Sequence, residues 1–452
     1  MKFVRLLGWV LLTVLGLLLV LAAVSLAPVD RTPYTETDAY RQTQAAFQRL
    51  KQTTPPVAPG QPLRAGWARV NLTPPQPGPT GGYGVRRGAD YTSVHDSVFV
   101  RALVFDNGLT RAALVSADLL IIPPTVTARL RAVLPTIGFT LDRTYLGATH
   151  THNSIGGWGE KLGGEVMAGD FDPKQVDFIV ERIVRAIDAA QKQLSPIRLG
   201  FDQVYQADMV RNRIWGNAGT LDPFIRLLKL ENAAGQTALL CTYAAHATLL
   251  EDRNLALSRD YPGALVDSLE RQSVDFALFQ AGAVGSMGPL SEGKDDWERV
   301  RNEALGLQLE IQRVLPQIKT RPDSTLAIVS LPLALRESQF RISEDWRLRP
   351  WVWSWLFGEA SAELKALRVG EVLFLGLPCD YSGELVAEYE RFARQRGLRL
   401  VITSFNGGYI GYITPDGNYD RYSYETRDMN WFGPGNAGYL GEFMRKLITL
   451  LS

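Results

Sequence analysis

The sequence predicts a mixed α/β fold: one large domain of mixed sheets flanked by helices, preceded by an N-terminal transmembrane helix. Three observations carry this reading. Apolar residues make up 46% of the 452 and charged residues 21%, the balance of a chain that packs a core. Apolar runs of strand length are interspersed with stretches of helical period, without the strict alternation of a barrel or a Rossmann sheet. Residues 6–27 are apolar throughout except for Thr13 and Ser25, which is about the length that spans a bilayer as a helix.

The elements follow in order. Lys2 and Arg5 precede the apolar run, and cations on that side favour an N-terminus inside and the bulk of the chain outside the cytoplasm. A cleavable signal ending near Ser25-Leu26-Ala27 is the rival, but the run is longer than a usual signal core, which favours a retained anchor. In either case the folded part lies on the periplasmic or extracellular side, secreted if the segment is cleaved. Residues 30–64 read as a polar helix (37–51) and a Pro-rich linker, which leaves 65–452 as the main domain and 1–29 as the anchor or signal. Strands are predicted at 65–72, 99–105 and 111–117, the last two around an Asp106-Asn107-Gly108 turn. A helix at 125–134 and a strand at 144–149 come next, then a Gly-rich turn. Val176, Phe178, Ile179, Ile183, Ile187 and Ala190 make the stripe of a helix over 173–194. Strands at 197–206, 224–230 and 236–244, helices at 262–271 and 295–318, and strands at 326–335 and 365–377 follow. A helix at 383–396, a strand at 398–404 and a closing helix at 438–451 complete the domain. Residues 346–357 hold four tryptophans. They read either as core or as an amphipathic patch suited to a membrane interface.

The net charge of +1 gives no reason to expect a nucleic-acid partner. The two cysteines, Cys241 and Cys379, have neither disulfide-framework nor zinc-ribbon spacing. Candidate ligands therefore come from histidine and carboxylate. Of four histidines, His150 and His152 close a predicted strand, and residues i and i+2 of a strand share a face. His246 closes another strand, and His95 enters a third. Two strands that each finish in histidine can assemble a metal site at a sheet edge. Glu384 opens a helix directly after a buried strand, as a site carboxylate or as a partner of the helix dipole. On the residues alone, two unremarkable surface histidines remain an open alternative.

The motifs Gly147-Ala148-Thr149-His150-Thr151-His152, Asn212-Arg213, Tyr243-Ala244-Ala245-His246-Ala247-Thr248, Ser382-Gly383-Glu384 and Tyr409-Ile410-Gly411-Tyr412-Ile413-Thr414, continuing to Arg421–Glu425, together resemble the neutral/alkaline non-lysosomal ceramidases, a family of zinc amidases. The resemblance implies Zn2+ held by His150, His246, Glu384 and Tyr412, with His152, Arg213 and Tyr424 around the scissile amide. It implies hydrolysis of the N-acyl bond of a ceramide-like lipid by zinc-activated water, at a membrane surface. A zinc hydrolase of another small amide or ester, or a non-catalytic binding module on the same fold, are the alternatives. Two departures stand out. Gly285-Ser286-Met287-Gly288-Pro289 replaces the family's Gly-Asp-Val-Ser-Pro-like stretch, so that family serine has no counterpart in Ser286. Past the last motif, no room is expected for the C-terminal β-sandwich of longer members.

Overall fold

Phe99–Asp106 (β2) shows how the layers are built. Val100, Ala102 and Val104 point to one face of the strand and Leu103 and Phe105 to the other, and all are buried. A strand buried on both faces sits between two layers. In this computed structural model, which describes residues 2–452, β2 lies inside an eight-stranded sheet. The other strands of that sheet are β1 (Arg64–Asn71), β3 (Arg111–Ala117), β4 (Thr144–Ala148), β5 (Ser195–Tyr205), β6 (Phe224–Asn232), β7 (Thr237–Tyr243) and β8 (Phe276–Ala281), in the order β8-β7-β6-β5-β1-β2-β3-β4. A four-stranded sheet follows in sequence: β9 (Leu326–Leu333), β10 (Ala362–Val369), β11 (Val372–Gly376) and β12 (Arg399–Thr403), in that spatial order. The pairs β3–β4, β7–β8 and β11–β12 are parallel, and the other pairings are antiparallel.

The two sheets stack face to face. Leu103, Phe105, Tyr145, Leu228 and Leu240 of the large sheet share one core with Leu367, Phe374 and Val401 of the small one. Helices cover both outer faces. α1 (Lys2–Ser25) and α2 (Asp38–Thr53) precede the sheets. α3 (Pro124–Val133), α4 (Lys161–Ala168) and α5 (Pro173–Gln191) lie in the first half of the domain, and α3 and α5 cover β1–β4. α6 (Asp260–Gln272) and α7 (Asp296–Val314) cover the β6–β8 end. α8 (Pro350–Phe357) precedes β10, while α9 (Val386–Arg394) and α10 (Asn436–Leu450) join α2 over the small sheet. The result is helix, sheet, sheet, helix, a mixed α/β fold in agreement with the sequence reading.

The structure differs from the sequence reading locally. The apolar run 365–377 is two strands, because Gly370 (φ 61°) turns the chain back between Val369 and Val372. The Gly-rich stretch after His152 contains α4, which its glycines hid. The helix read at 383–396 begins as a 3-10 turn, Gly383–Leu385, and is α-helical only from Val386. The Trp-rich stretch is both a strand, Trp346–Leu348, and α8.

Candidate metal centre

β4 ends at Ala148, one residue before the strand predicted, and the chain then leaves the sheet. His150 takes φ 63°, a left-handed conformation that costs a non-glycine residue about 1–3 kcal/mol and persists only where the surroundings fix it. Its N–H donates to the Leu119 carbonyl at 3.0 Å. The two rings of His150 and His152 thus meet through this turn rather than through the pleat of a strand, and their Nε2 atoms lie 3.2 Å apart. β7 delivers His246 to the same place, and the ligating atoms of the three imidazoles all fall within 4.8 Å of one another. The group can hold a metal ion.

The protonation pattern is legible from the acceptors around each ring. Nδ1 of His150 lies 2.6 Å from the Leu120 carbonyl, and Nδ1 of His246 lies 2.8 Å from that of Val284 and 2.9 Å from that of Met287. A carbonyl only accepts, so both Nδ1 atoms carry the proton and both Nε2 lone pairs face inward. They face Asp380 Oδ1, at 3.4 Å from His150 and 3.2 Å from His246. That oxygen is buried and has no hydrogen-bond partner. Burial holds His150 down to about 3 and His246 well below its ordinary range, so neither ring is charged to meet the carboxylate. Three acceptors turned on one point, with the Tyr412 hydroxyl 2.9 Å from His246 Nε2, form the donor set of a cation site. Asp380 Oδ2 accepts from Tyr409 at 2.7 Å, which fixes the carboxylate in that orientation.

Asp380 was not among the sequence candidates. Glu384, which was, does not face the imidazoles. The 3-10 turn carries it away, so that Oε1 accepts from Asn212 Nδ2 at 3.0 Å and Oε2 from Ser382 Oγ at 3.1 Å. Among the described residues, no His–Glu384 pair lies within ion-pair distance, whereas Asp380 reaches two histidines. The signal for Asp380 was its place four residues after β11, at a point where residues 380–381 pair in parallel with 412–413 and so bring Asp380 opposite Tyr412.

The other candidates divide. His152 has no carbonyl on Nδ1, which is buried and unpartnered, and its ring's only hydrogen-bond partner among the described residues is the His150 Nε2 lone pair, 3.2 Å from its own Nε2. Its ring packs on Tyr83, with centroids 4.8 Å apart. Arg213 pairs with Glu425 at 3.0 Å, and its N–H donates to the Ser286 carbonyl. The Tyr424 ring stands edge-on to Tyr412 at 5.7 Å and is partly exposed. Burial pushes its hydroxyl up to about 12. His95 lies elsewhere, stacked on Trp297 and paired with Asp96. The sequence reading missed Arg86. Its guanidinium donates to the His152, Glu251, Asp252 and Asn254 carbonyls and to Asn153 Oδ1, tying the His152 turn to the loop after His246.

Comparison with known proteins gives the same picture. Residues 79–288 match the family described as neutral/alkaline non-lysosomal ceramidase, N-terminal. The stretch includes His150, His152, Arg213 and His246. The neutral ceramidase of Pseudomonas aeruginosa is 28% identical over 217 residues, 43% of this chain and 32% of that protein. That of Mycobacterium tuberculosis is 25% identical over 197 residues, 39% of this chain and 31% of that protein. These alignments thus span about a third of the curated relatives' length. In fold, the chain superposes on a crystal structure of the P. aeruginosa neutral ceramidase with a TM-score of 0.76 at 20% identity, covering 86% of this chain and 74% of that one. A ceramidase complexed with C2 gives 0.72 at 18% identity, covering 86% and 75%. Residues 79–288, a little under half of the chain, thus resemble the N-terminal part of the neutral/alkaline non-lysosomal ceramidases, and the chain has the fold of the neutral ceramidases.

Proposed function

We propose that this protein is a zinc-dependent amidohydrolase that cleaves the N-acyl amide bond of a ceramide-like lipid, giving a fatty acid and a sphingoid-type amine. One observation carries the reading: the lone pairs of His150 and His246 and the orphaned Oδ1 of Asp380 converge with Tyr412 in a buried site. The similarity of residues 79–288 to the ceramidase family and the shared fold support the substrate class. His150, His246, Asp380 and Tyr412 are the proposed metal ligands, Asp380 taking the place expected of Glu384. When bound, zinc would supply the Lewis acidity that makes water a nucleophile near neutral pH.

The rest is the work of this chain's own residues. The carbonyls of Leu120, Val284 and Met287 hold two rings in the tautomer that ligates. His152, free of such an anchor, is the proton partner, taking a proton from water and returning it to the leaving amine. Arg213 stays protonated and acts as a donor toward substrate oxygens, held in place by Glu425. Tyr424, with its proton retained by burial, donates to the oxyanion that develops on the amide carbonyl. The apolar N-terminal helix is proposed as a retained anchor, with the domain outside the cytoplasm.

The test is fatty-acid release from a ceramide by the purified full chain, before and after chelation and zinc return. Turnover that falls on chelation and returns with zinc is expected. A zinc-loaded protein that releases no fatty acid from any N-acyl lipid would overturn the substrate assignment.

A further inference from the structure

The Trp-rich segment has no part in the chemistry above, and its placement gives it one. α1 contains Phe3–Ser25, 23 residues within which an 18-residue stretch has mean hydropathy 2.7 and is nowhere buried. Its last turn is not free. The carbonyl of Ala23 accepts from Arg349 Nε, that of Val24 from Trp351 Nε1 and that of Ser25 from the Arg349 N–H. Leu26–Pro28 then pairs antiparallel with Trp346–Leu348. The start of α8 is therefore fixed against the end of the apolar helix. If α1 crosses a bilayer, α8 sits at the height where hydrocarbon gives way to headgroups.

The side chains of α8 suit that height. Trp353 is 5% exposed and stacks on Phe357 at 4.2 Å, with Trp431 beyond it, which pins the helix to the domain. Trp351 and Trp355, four residues apart on one helix face, are 55% and 66% exposed. α4 lies directly against α8, since a Cβ on Gly163 would fall 2.2 Å from the Phe357 ring. It adds exposed Leu162 and Val166, and the 3-10 turn Gly84–Arg86 beside it adds exposed Val85. That turn follows Tyr83, whose ring packs at a tilt on His152. An exposed apolar surface thus runs from the end of α1 to the wall of the imidazole cluster. Exposed indole rings beside apolar side chains are the composition of a membrane-interface belt.

We infer that the outer face of α8, with α4 and residues 84–86, is a platform seated in the interfacial layer of the bilayer, along which a lipid substrate passes to the metal centre. The inference rests on the anchored, lipid-hydrolase reading and assigns that site its route of supply.

The test uses the full chain in phosphatidylcholine nanodiscs that contain a lipid bearing a nitroxide high on its acyl chain. Single cysteines carry an environment-sensitive fluorophore at Trp355→Cys, Trp351→Cys, Leu15→Cys in α1 and Leu309→Cys on α7. All four positions are exposed, and the native cysteines are buried, so labelling is selective. Quenching at 351 and 355 severalfold stronger than at 309 is expected. If the label at 15 is quenched and those at 351 and 355 behave as the one at 309, the platform is overturned while the anchor stands. If none is quenched, both fall. Quenching at 355 and 351 without 15 overturns the anchored placement from which the height of the platform follows.

Discussion

At the residue scale, the two rings of the His-Thr-His motif differ in what holds their far nitrogen. His150 leans on the Leu120 carbonyl, and His152 on nothing. His152→Ala should therefore leave metal content unchanged and lower kcat by roughly 10²–10⁴-fold, the usual range for a lost proton-transfer group. Metal analysis beside steady-state kinetics checks both halves. Tyr409→Phe removes the donor that orients Asp380. A loss of about 10–100-fold in metal affinity or activity is expected for such a partner, measured by zinc competition with a chromophoric chelator. The histidines were legible in the sequence because four in the whole chain leave few ways to build a site. Asp380 was not, because two carboxylates four residues apart follow the same strand. Only the backbone turn between them decides which one faces inward.

At the scale of elements, Arg86 joins the His152 turn to the loop at 251–254 through backbone carbonyl acceptors. Arg86→Ala removes a charged donor from the part-buried His152 and Asp252 carbonyls, at about 1–3 kcal/mol for a hydrogen bond to a charged group, and releases the wall behind His152. The expected result is a lower kcat at unchanged metal content together with a lower unfolding midpoint. Arg86→Lys should not restore it, since a single ammonium cannot reach the spread of acceptors that the planar fork does. No sequence pattern announces such a residue. Arg86 stands in a polar loop, Tyr83-Gly84-Val85-Arg86-Arg87, beside an arginine that the structure leaves exposed. The long elements were legible for the opposite reason. The near-continuous apolar run of β2 and the helical stripe of α5 each encode surface that must be buried, and both are buried. α4 escaped notice because its two glycines weaken the helical signal. One of them is needed so that Phe357 can approach.

At the scale of the molecule, the site closes the sandwich. His150 and His246 follow strand ends of the large sheet, and Asp380 and Tyr412 pair with each other in the segments that follow β11 and β12 of the small one. Phe374, fully buried between the sheets, fixes their separation. Phe374→Ala should cost about 3–5 kcal/mol, as aromatic truncations in cores do, read from urea denaturation. It should also weaken metal binding, because ligands from two sheets depend on how the sheets meet. Metal bound across that seam should in turn raise the unfolding temperature, as any ligand of the native state does. The proposed function requires one metal held jointly by His150, His246 and Asp380. Its most direct test is the metal content of the purified, zinc-supplied full chain beside the Asp380→Ala and Glu384→Ala variants. The account predicts about one zinc per chain in the parent and in Glu384→Ala, as for a single tetrahedral site, and none in folded Asp380→Ala. A metal-free parent, or Asp380→Ala that keeps its zinc while Glu384→Ala loses it, would contradict the account.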